Sequence, residues 1–94
     1  MVLKPAIRFL FEDKRYQYSM PEITINQKLG QTIVEIRQKK GYTQAQLVRS
    51  SGFSQKFISD VELGKRSISV ENLEKLTSAL NVCLSDVFLM VEMK

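Results

Sequence analysis

The chain has 94 residues, of which 44% are hydrophobic and 26% charged, and it carries a formal net charge of +4. This length supports one small domain with a single core. No apolar run approaches the ~20 residues that a membrane-spanning helix needs, and charge interrupts the N-terminus too early for a secretory signal. We therefore expect a cytoplasmic protein with no membrane partner.

Residue types used in catalysis and cofactor binding are scarce. The sequence contains no histidine, a single cysteine (Cys83), no cluster of metal ligands and no glycine-rich phosphate loop. Cys83 cannot form an internal disulfide, and in an apolar stretch it is predicted to be a small core residue. We therefore expect neither an enzyme nor a protein that uses a cofactor or a metal.

Positive charge is concentrated in the middle of the chain. Residues 28–66 contain eight basic and three acidic side chains, whereas residues 67–94 contain two basic and four acidic ones. A basic stripe is the electrostatic footprint of a surface that contacts phosphates, although solvated lysines alone also produce such runs.

Residues 1–25 are predicted to be a short N-terminal extension. Apolar and polar residues alternate on either side of the polar stretch 12–15. This alternation around a short connection is typical of a β-hairpin, although Leu10 interrupts it and the connection lacks glycine. A two-stranded hairpin is marginal alone, so it would need the domain or a partner subunit to cover it.

Residues 26–94 carry the spacing of five short helices, which predicts an all-α domain. The first helix, about residues 27–40, repeats apolar residues at three-to-four spacing and ends at Gly41. A hydroxyl side chain that can accept backbone N–H bonds precedes each later helix. The predicted caps are Thr43, Ser54, Ser69 and Ser85.

Two of these helices are joined in a distinctive way. The second opens with Thr43-Gln44, a turn follows at residues 51–53, and the third opens at Ser54 and stops at Gly64. This pattern predicts a helix-turn-helix, in which one helix is presented to the major groove of DNA. In the last helix, Val87 and Phe88 are predicted to return to the core.

Residues 29–88 resemble the lambda-repressor/Cro-like helix-turn-helix family, also called the Xre family. The stretch 58–76 is similar to the controller proteins of restriction–modification systems. Val48 and Phe53 depart from the family pattern, in which smaller residues are usual, and residues 54–56 lack the controllers' usual arginine. The matching residues are Leu29-Gly30, Ile33, Arg37, Gly41, Thr43-Gln44, Leu47, Gly52, Ser54-Gln55, Ile58-Ser59, Glu62 and Gly64.

The resemblance and the docking geometry together assign roles to polar residues. The N-terminal part of the third helix would face base edges, and glutamine and lysine can pair there with adenine and guanine. The predicted base-reading residues are Gln55, Lys56, Ser59 and Asp60. The residues predicted to bind the DNA backbone, at helix N-termini or in the loop after the third helix, are Thr43, Gln44, Ser54, Lys65, Arg66 and Ser67.

A structural role is expected for Arg37 and Glu62. In the family, the matching positions form a buried ion pair that joins the first helix to the third. We expect the same pair here, fixing the angle of the third helix.

The predicted function is sequence-specific binding of a double-stranded DNA operator by a homodimeric transcriptional regulator. An alternative is an antitoxin that binds DNA and neutralises a toxin protein; RNA polymerase is a further candidate partner. The apolar C-terminal end is the favoured dimer surface, although the N-terminal segment with Tyr16 and Tyr18 is also a candidate. The predicted interface residues are Val82, Leu84, Leu89, Met90 and Val91.

Overall fold

Five α-helices make up residues 23–94, the part of the chain that the computed structural model describes. They are α1 (Ile25–Lys39), α2 (Gln44–Ser51), α3 (Gln55–Glu62), α4 (Val70–Leu80) and α5 (Leu84–Glu92). The predicted five-helix fold is confirmed, and residues 23–94 contain no strand. The β-hairpin predicted within residues 1–25 falls outside the described residues.

Side-chain caps define where the first four helices begin. The Oγ atoms of Ser54 and Ser69 each accept a bond from the backbone N–H three residues on, as predicted. Thr43 and Thr24 both form capping boxes, in which the third helical residue bonds back to the cap. The cap at Thr24 was not predicted, and it starts α1 at Ile25, two residues earlier than expected.

The last helix also begins earlier than predicted. The backbone carbonyl of Cys83 accepts bonds from Asp86 and Val87, so α5 begins at Leu84 and the predicted cap, Ser85, lies inside it. Cys83 is exposed at the start of this helix and not in the core. Val87 is fully buried as predicted, but Phe88 is 45% exposed because the next residue points about 100° away around the helix.

Ten apolar side chains of the described residues form one core to which every helix contributes. In it, α1 packs on α3 and α5, α2 packs on α3 and α4, and α4 packs on α5. Burying a side chain of this kind stabilises the fold by roughly 1.5–3 kcal/mol. The completely buried apolar side chains are Ile33, Leu47, Ile58, Leu76, Leu80 and Val87. No helix within residues 23–94 is long and apolar enough to cross a lipid bilayer.

The contact between α1 and α3 is closest at Gly30. A Cβ atom at this position would meet the backbone carbonyl oxygens of Val61 and Glu62, the latter at 2.5 Å. Both oxygens belong to the last turn of α3, so the obstruction is backbone and cannot move aside like a flexible side chain. A residue without a side chain is therefore required where α3 crosses α1.

Replacing Gly30 with alanine should force α1 and α3 apart. We expect the Gly30→Ala protein to lose about 1–3 kcal/mol of unfolding free energy, as overpacked positions do. Urea unfolding followed by far-UV circular dichroism measures this loss. The control is Gln31→Ala, an exposed change on the same helix, which should leave the unfolding free energy nearly unchanged; equal stability of the two variants would contradict the close-contact argument.

Candidate nucleic-acid interface

The turn between α2 and α3 is set by local chemistry. Gly52 ends α2 with φ +81°, a left-handed conformation that few other residues adopt. The Ser51 hydroxyl then accepts a bond from the Phe53 amide at 3.2 Å, and Ser54 caps α3. Because these bonds occupy the backbone groups of the turn, the two helices are joined with little freedom.

The outer face of α3 carries the four residues predicted to read bases. Ile58, Val61 and Glu62 are buried and mark the inner side of the helix. At about 100° per residue, the opposite side presents Lys56, Ser59 and Asp60, with Gln55 at its edge. Gln55 and Lys56 are exposed, and the other two are partly exposed. The structure therefore brings the predicted set together on one surface.

Lys56 and Asp60 form an ion pair that was not predicted. The Lys56 Nζ atom lies 3.1 Å from Asp60 Oδ2, one helical turn away. The lysine side chain is 85% exposed, so water screens the pair, and such surface pairs are worth about 0–1 kcal/mol. Each charge is thus loosely held and can exchange its partner for another group.

Behind this face, Arg37 and Glu62 form the ion pair that joins α1 to α3. Arg37 Nε donates to Glu62 Oε2 at 2.7 Å, and Arg37 Nη2 donates to Oε1 at 3.1 Å. The third guanidinium nitrogen, Nη1, donates to the backbone carbonyl of Tyr42 at 2.9 Å. The side chains are only 12% and 4% exposed, so the pair is buried and well satisfied.

Two glutamines extend this buried pair to the surface. Gln44 Nε2 donates to Glu62 Oε1 at 2.7 Å, and Gln55 Nε2 donates to Gln44 Oε1 at 2.6 Å. A continuous chain of hydrogen bonds therefore runs from Arg37 to Gln55. Since Gln44 is the first residue of α2 and Gln55 the first of α3, the chain also fixes the two helix N-termini relative to each other.

The loop after α3 holds the remaining candidate residues. Lys65, Arg66 and Ser67 are all exposed, as a surface that binds a phosphate backbone requires. The Arg66 guanidinium lies over the ring of Phe57, 4.8 Å from its centroid. The Ser67 hydroxyl accepts a weak bond from Asn26 Nδ2 at 3.5 Å, which links the loop to α1.

The sequence did not predict the aromatic contacts of Phe57. This residue stacks on Phe53, with ring centroids 4.5 Å apart and an interplanar angle of 22°. Two aromatic residues four apart were visible in the sequence, but Phe53 lies in the turn before α3, so helical spacing did not predict their contact. The approach of Arg66 from the following loop could not be read from spacing.

The predicted dimer surface needs one correction. Val91 is only 4% exposed because it packs in the core beside Val87, one helical turn earlier, and so it is not available to a partner. Leu89 is 56% exposed, whereas Val82, Leu84 and Met90 are half-buried against the core. Phe88 and Met93 are also exposed at this end of the molecule.

A polar, exposed helix held by a short turn against a capped helix, with a basic loop after it, defines a helix-turn-helix DNA-binding domain. Comparison with known families agrees: residues 33–87 match the helix-turn-helix family HTH_3. The chain belongs to this family, in its Xre or lambda-repressor branch. No curated protein sequence matches the chain.

Several solved structures are similar to this chain. The restriction–modification controller protein C.AhdI from Aeromonas hydrophila is 35% identical, with 67% of this chain and 96% of that chain covered and a TM-score of 0.65. The controller C.Esp1396I, as a tetramer in complex with its natural 35 base-pair operator, is 29% identical over 77% of this chain and 95% of that chain (TM-score 0.70). The clp gene regulator ClgR from C. glutamicum is 28% identical over 80% and 96%, with a TM-score of 0.75.

These comparisons confirm the resemblance drawn from the sequence. The protein is a helix-turn-helix DNA-binding regulator whose structural relatives include restriction–modification controllers. The family and these relatives are DNA-binding regulators and not enzymes.

The buried ion pair makes a strong stability prediction. Glu62→Ala leaves the Arg37 charge buried without its carboxylate, which should lower the unfolding free energy by about 3–5 kcal/mol. The matched control is Asp60→Ala, which breaks the exposed pair on the same helix and should cost less than about 1 kcal/mol. Urea unfolding of both variants gives the comparison. Similar small losses for the two would show that the buried pair does not hold α1 to α3.

Proposed function

We propose that this protein is a sequence-specific transcriptional regulator that binds a (pseudo)palindromic operator in double-stranded DNA as a homodimer, in the manner of a restriction–modification controller. The observation that carries the proposal is the outer face of α3, where Gln55 is held by Gln44 beside Lys56, Ser59 and Asp60. The similarity to a controller solved on its operator supports the same use of this helix.

The side chains on α3 suit the edges of base pairs. Gln55 gives one amide N–H to Gln44, which leaves its other N–H and its Oε1 atom for the N7 and N6 groups of adenine. Lys56 can donate to guanine O6 and N7, and Asp60 can accept from cytosine N4. A G·C pair thus offers an acceptor to the lysine and a donor to the aspartate, replacing the ion pair that the two side chains form with each other.

A second set of residues positions the protein on the DNA backbone. Thr43, Gln44 and Ser54 lie at the N-termini of α2 and α3, where backbone N–H groups and the helix dipole favour a phosphate. Lys65, Arg66 and Ser67 add contacts from the loop after α3. These contacts set register and affinity but carry no sequence information.

A dimer is proposed because a single copy of α3 reads too few base pairs to select one site in a genome. Two copies that read half-sites about 34 Å apart along the duplex supply the missing specificity. The exposed apolar side chains of α5 support this end as the interface. A groove of about 410 Å³ lies beside them, between α1 and α5, and Ile36, Val82, Leu89 and Met90 provide its apolar lining.

Removing a base-reading side chain should weaken binding to the operator alone, whereas removing a backbone-binding side chain should weaken binding to any DNA. We expect Gln55→Ala to weaken operator binding by about 1–3 kcal/mol while leaving binding to shuffled DNA nearly unchanged. Lys65→Ala should weaken binding to both duplexes alike. It should also reduce, by about 1, the slope of the logarithm of the binding constant against the logarithm of the salt concentration. Fluorescence anisotropy at several salt concentrations, with the DNA upstream of the protein's own gene, measures both effects.

The wild-type protein is the control for the function itself. A preference of ~10³-fold or more for the upstream duplex over a shuffled one, saturating at two chains per site, is expected. Weak and equal binding to both duplexes would contradict the proposal for this operator. If Gln55→Ala and Lys65→Ala behaved alike on unrelated sequences, the division between base-reading and backbone-binding residues would be wrong.

A charge introduced on α5 should separate the subunits. We expect Leu89→Glu to be monomeric because a carboxylate in an apolar interface loses its hydration without gaining a partner. The control is Val70→Glu, which puts the same charge on an exposed apolar residue of α4 and should remain dimeric. Analytical ultracentrifugation gives the mass of each variant; a dimeric Leu89→Glu protein would place the interface elsewhere.

A further inference from the structure

A cation and two aromatic rings form a stack beside α3. The rings of Phe53 and Phe57 lie 4.5 Å apart and nearly parallel, and the Arg66 guanidinium lies over the Phe57 ring. Phe57 is half-buried and packs against the core, so its position is set by the fold. The ring is therefore a fixed support, and the exposed Arg66 side chain lies on it.

The stack lies on the opposite flank of α3 from the glutamines. Gln55 precedes Lys56 and Phe57 follows it, so each projects about 100° from the lysine at the centre of the outer face, in opposite directions. On the first flank, Gln55 bonds to Gln44 of α2. On the second flank, Phe57 contacts Arg66 of the loop. The outer face of α3 thus has Gln44 beside one flank and Arg66 beside the other.

This arrangement matches the shape of the major groove. A helix in the groove has a phosphate backbone on either side, across a width of about 12 Å. Resting on the proposed function, we propose that Phe57 is a positioning residue. Its ring holds the Arg66 guanidinium on the flank of α3 opposite Gln44. There the guanidinium binds a phosphate of one DNA strand, while α2 faces the backbone of the other strand.

Aromatic support suits a phosphate-binding arginine better than a carboxylate would. A guanidinium stacked on a ring keeps its N–H donors at its edge, free for a bidentate bond to phosphate oxygens. The Lys56–Asp60 pair shows the contrast, because Asp60 occupies the lysine ammonium until DNA replaces it. Phe57 orders Arg66 without competing for its donors, so less side-chain freedom remains to be lost on binding.

The test is a double-mutant cycle that uses Lys65 as the matched control. Phe57→Leu keeps an apolar side chain against the core but removes the ring face. We expect it to weaken binding to operator and shuffled DNA alike, by about two- to fivefold, the range of an exposed cation–π contact. This loss should vanish in the Arg66→Ala background but persist in the Lys65→Ala background. Phe57→Tyr, which keeps the ring, should bind as the wild type does.

A second measurement does not depend on DNA. In the free wild-type protein, ring currents should shift the NMR signals of the Arg66 side-chain protons upfield, and Phe57→Leu should abolish the shift. An unshifted Arg66 spectrum, or a Phe57→Leu loss of equal size in the Arg66→Ala and wild-type backgrounds, would overturn the proposal. So would a loss confined to the operator, since that would indicate base reading.

Failure of this inference can be told apart from failure of the proposed function. If wild-type protein binds its operator selectively and Arg66→Ala weakens binding, but Phe57→Leu does not, only the role of Phe57 is wrong. If the wild-type protein shows no preference for the operator and Arg66→Ala changes nothing, both proposals fall.

Discussion

The buried pairing of Arg37 with Glu62 is the interaction on which the rest of the structure depends. A carboxylate removed from water needs several donors, and Glu62 has three, from the Nε and Nη2 atoms of Arg37 and from Gln44 Nε2. The donors come from α1 and α2 while the acceptor is on α3, so none of these helices can shift without leaving a charge poorly solvated. Apolar cores tolerate repacking, but this polar centre admits few geometries. It therefore specifies the orientation of α3, while the ten apolar side chains supply most of the stability.

The same centre connects the interior to the surface proposed to contact DNA. The Gln44 amide donates from Nε2 to the buried carboxylate of Glu62. Its Oε1 atom accepts from Gln55, at the edge of the outer face. Gly30 complements this bonding from the other side, because its missing side chain lets the last turn of α3 approach α1 closely. Hydrogen bonding and steric fit thus agree on a single placement of the helix. The outer face itself is less constrained, since Lys56 and Asp60 are held only by each other across a screened contact.

Structural features that depend on residues close together in the sequence were easier to predict than those that depend on residues far apart. Thr43, Ser54 and Ser69 were recognised because a cap acts on a backbone amide three residues away. The predicted start of α5 was wrong because no side-chain hydrogen bond caps this helix, so no residue type marks where it begins. The ion pair of Arg37 and Glu62 followed from a family pattern, since nothing local joins residues 25 apart. The contact of Arg66 with Phe57 depends on the path of a loop, which neither periodicity nor family resemblance supplied.

The exposed cysteine at the start of α5 has a practical consequence. Cys83 is the only cysteine of the chain, so a thiol-reactive dye or spin label will attach at one known position. Its side chain makes no cap hydrogen bond, and modification therefore removes no contact that begins the helix. The site neighbours Val82 and Leu84, which belong to the proposed dimer surface, and it shares a surface groove with Lys40, Ser78 and Asn81, none of which is assigned to DNA. A probe there would test the proposed association of two copies from a position well separated in sequence from the residues proposed to bind DNA.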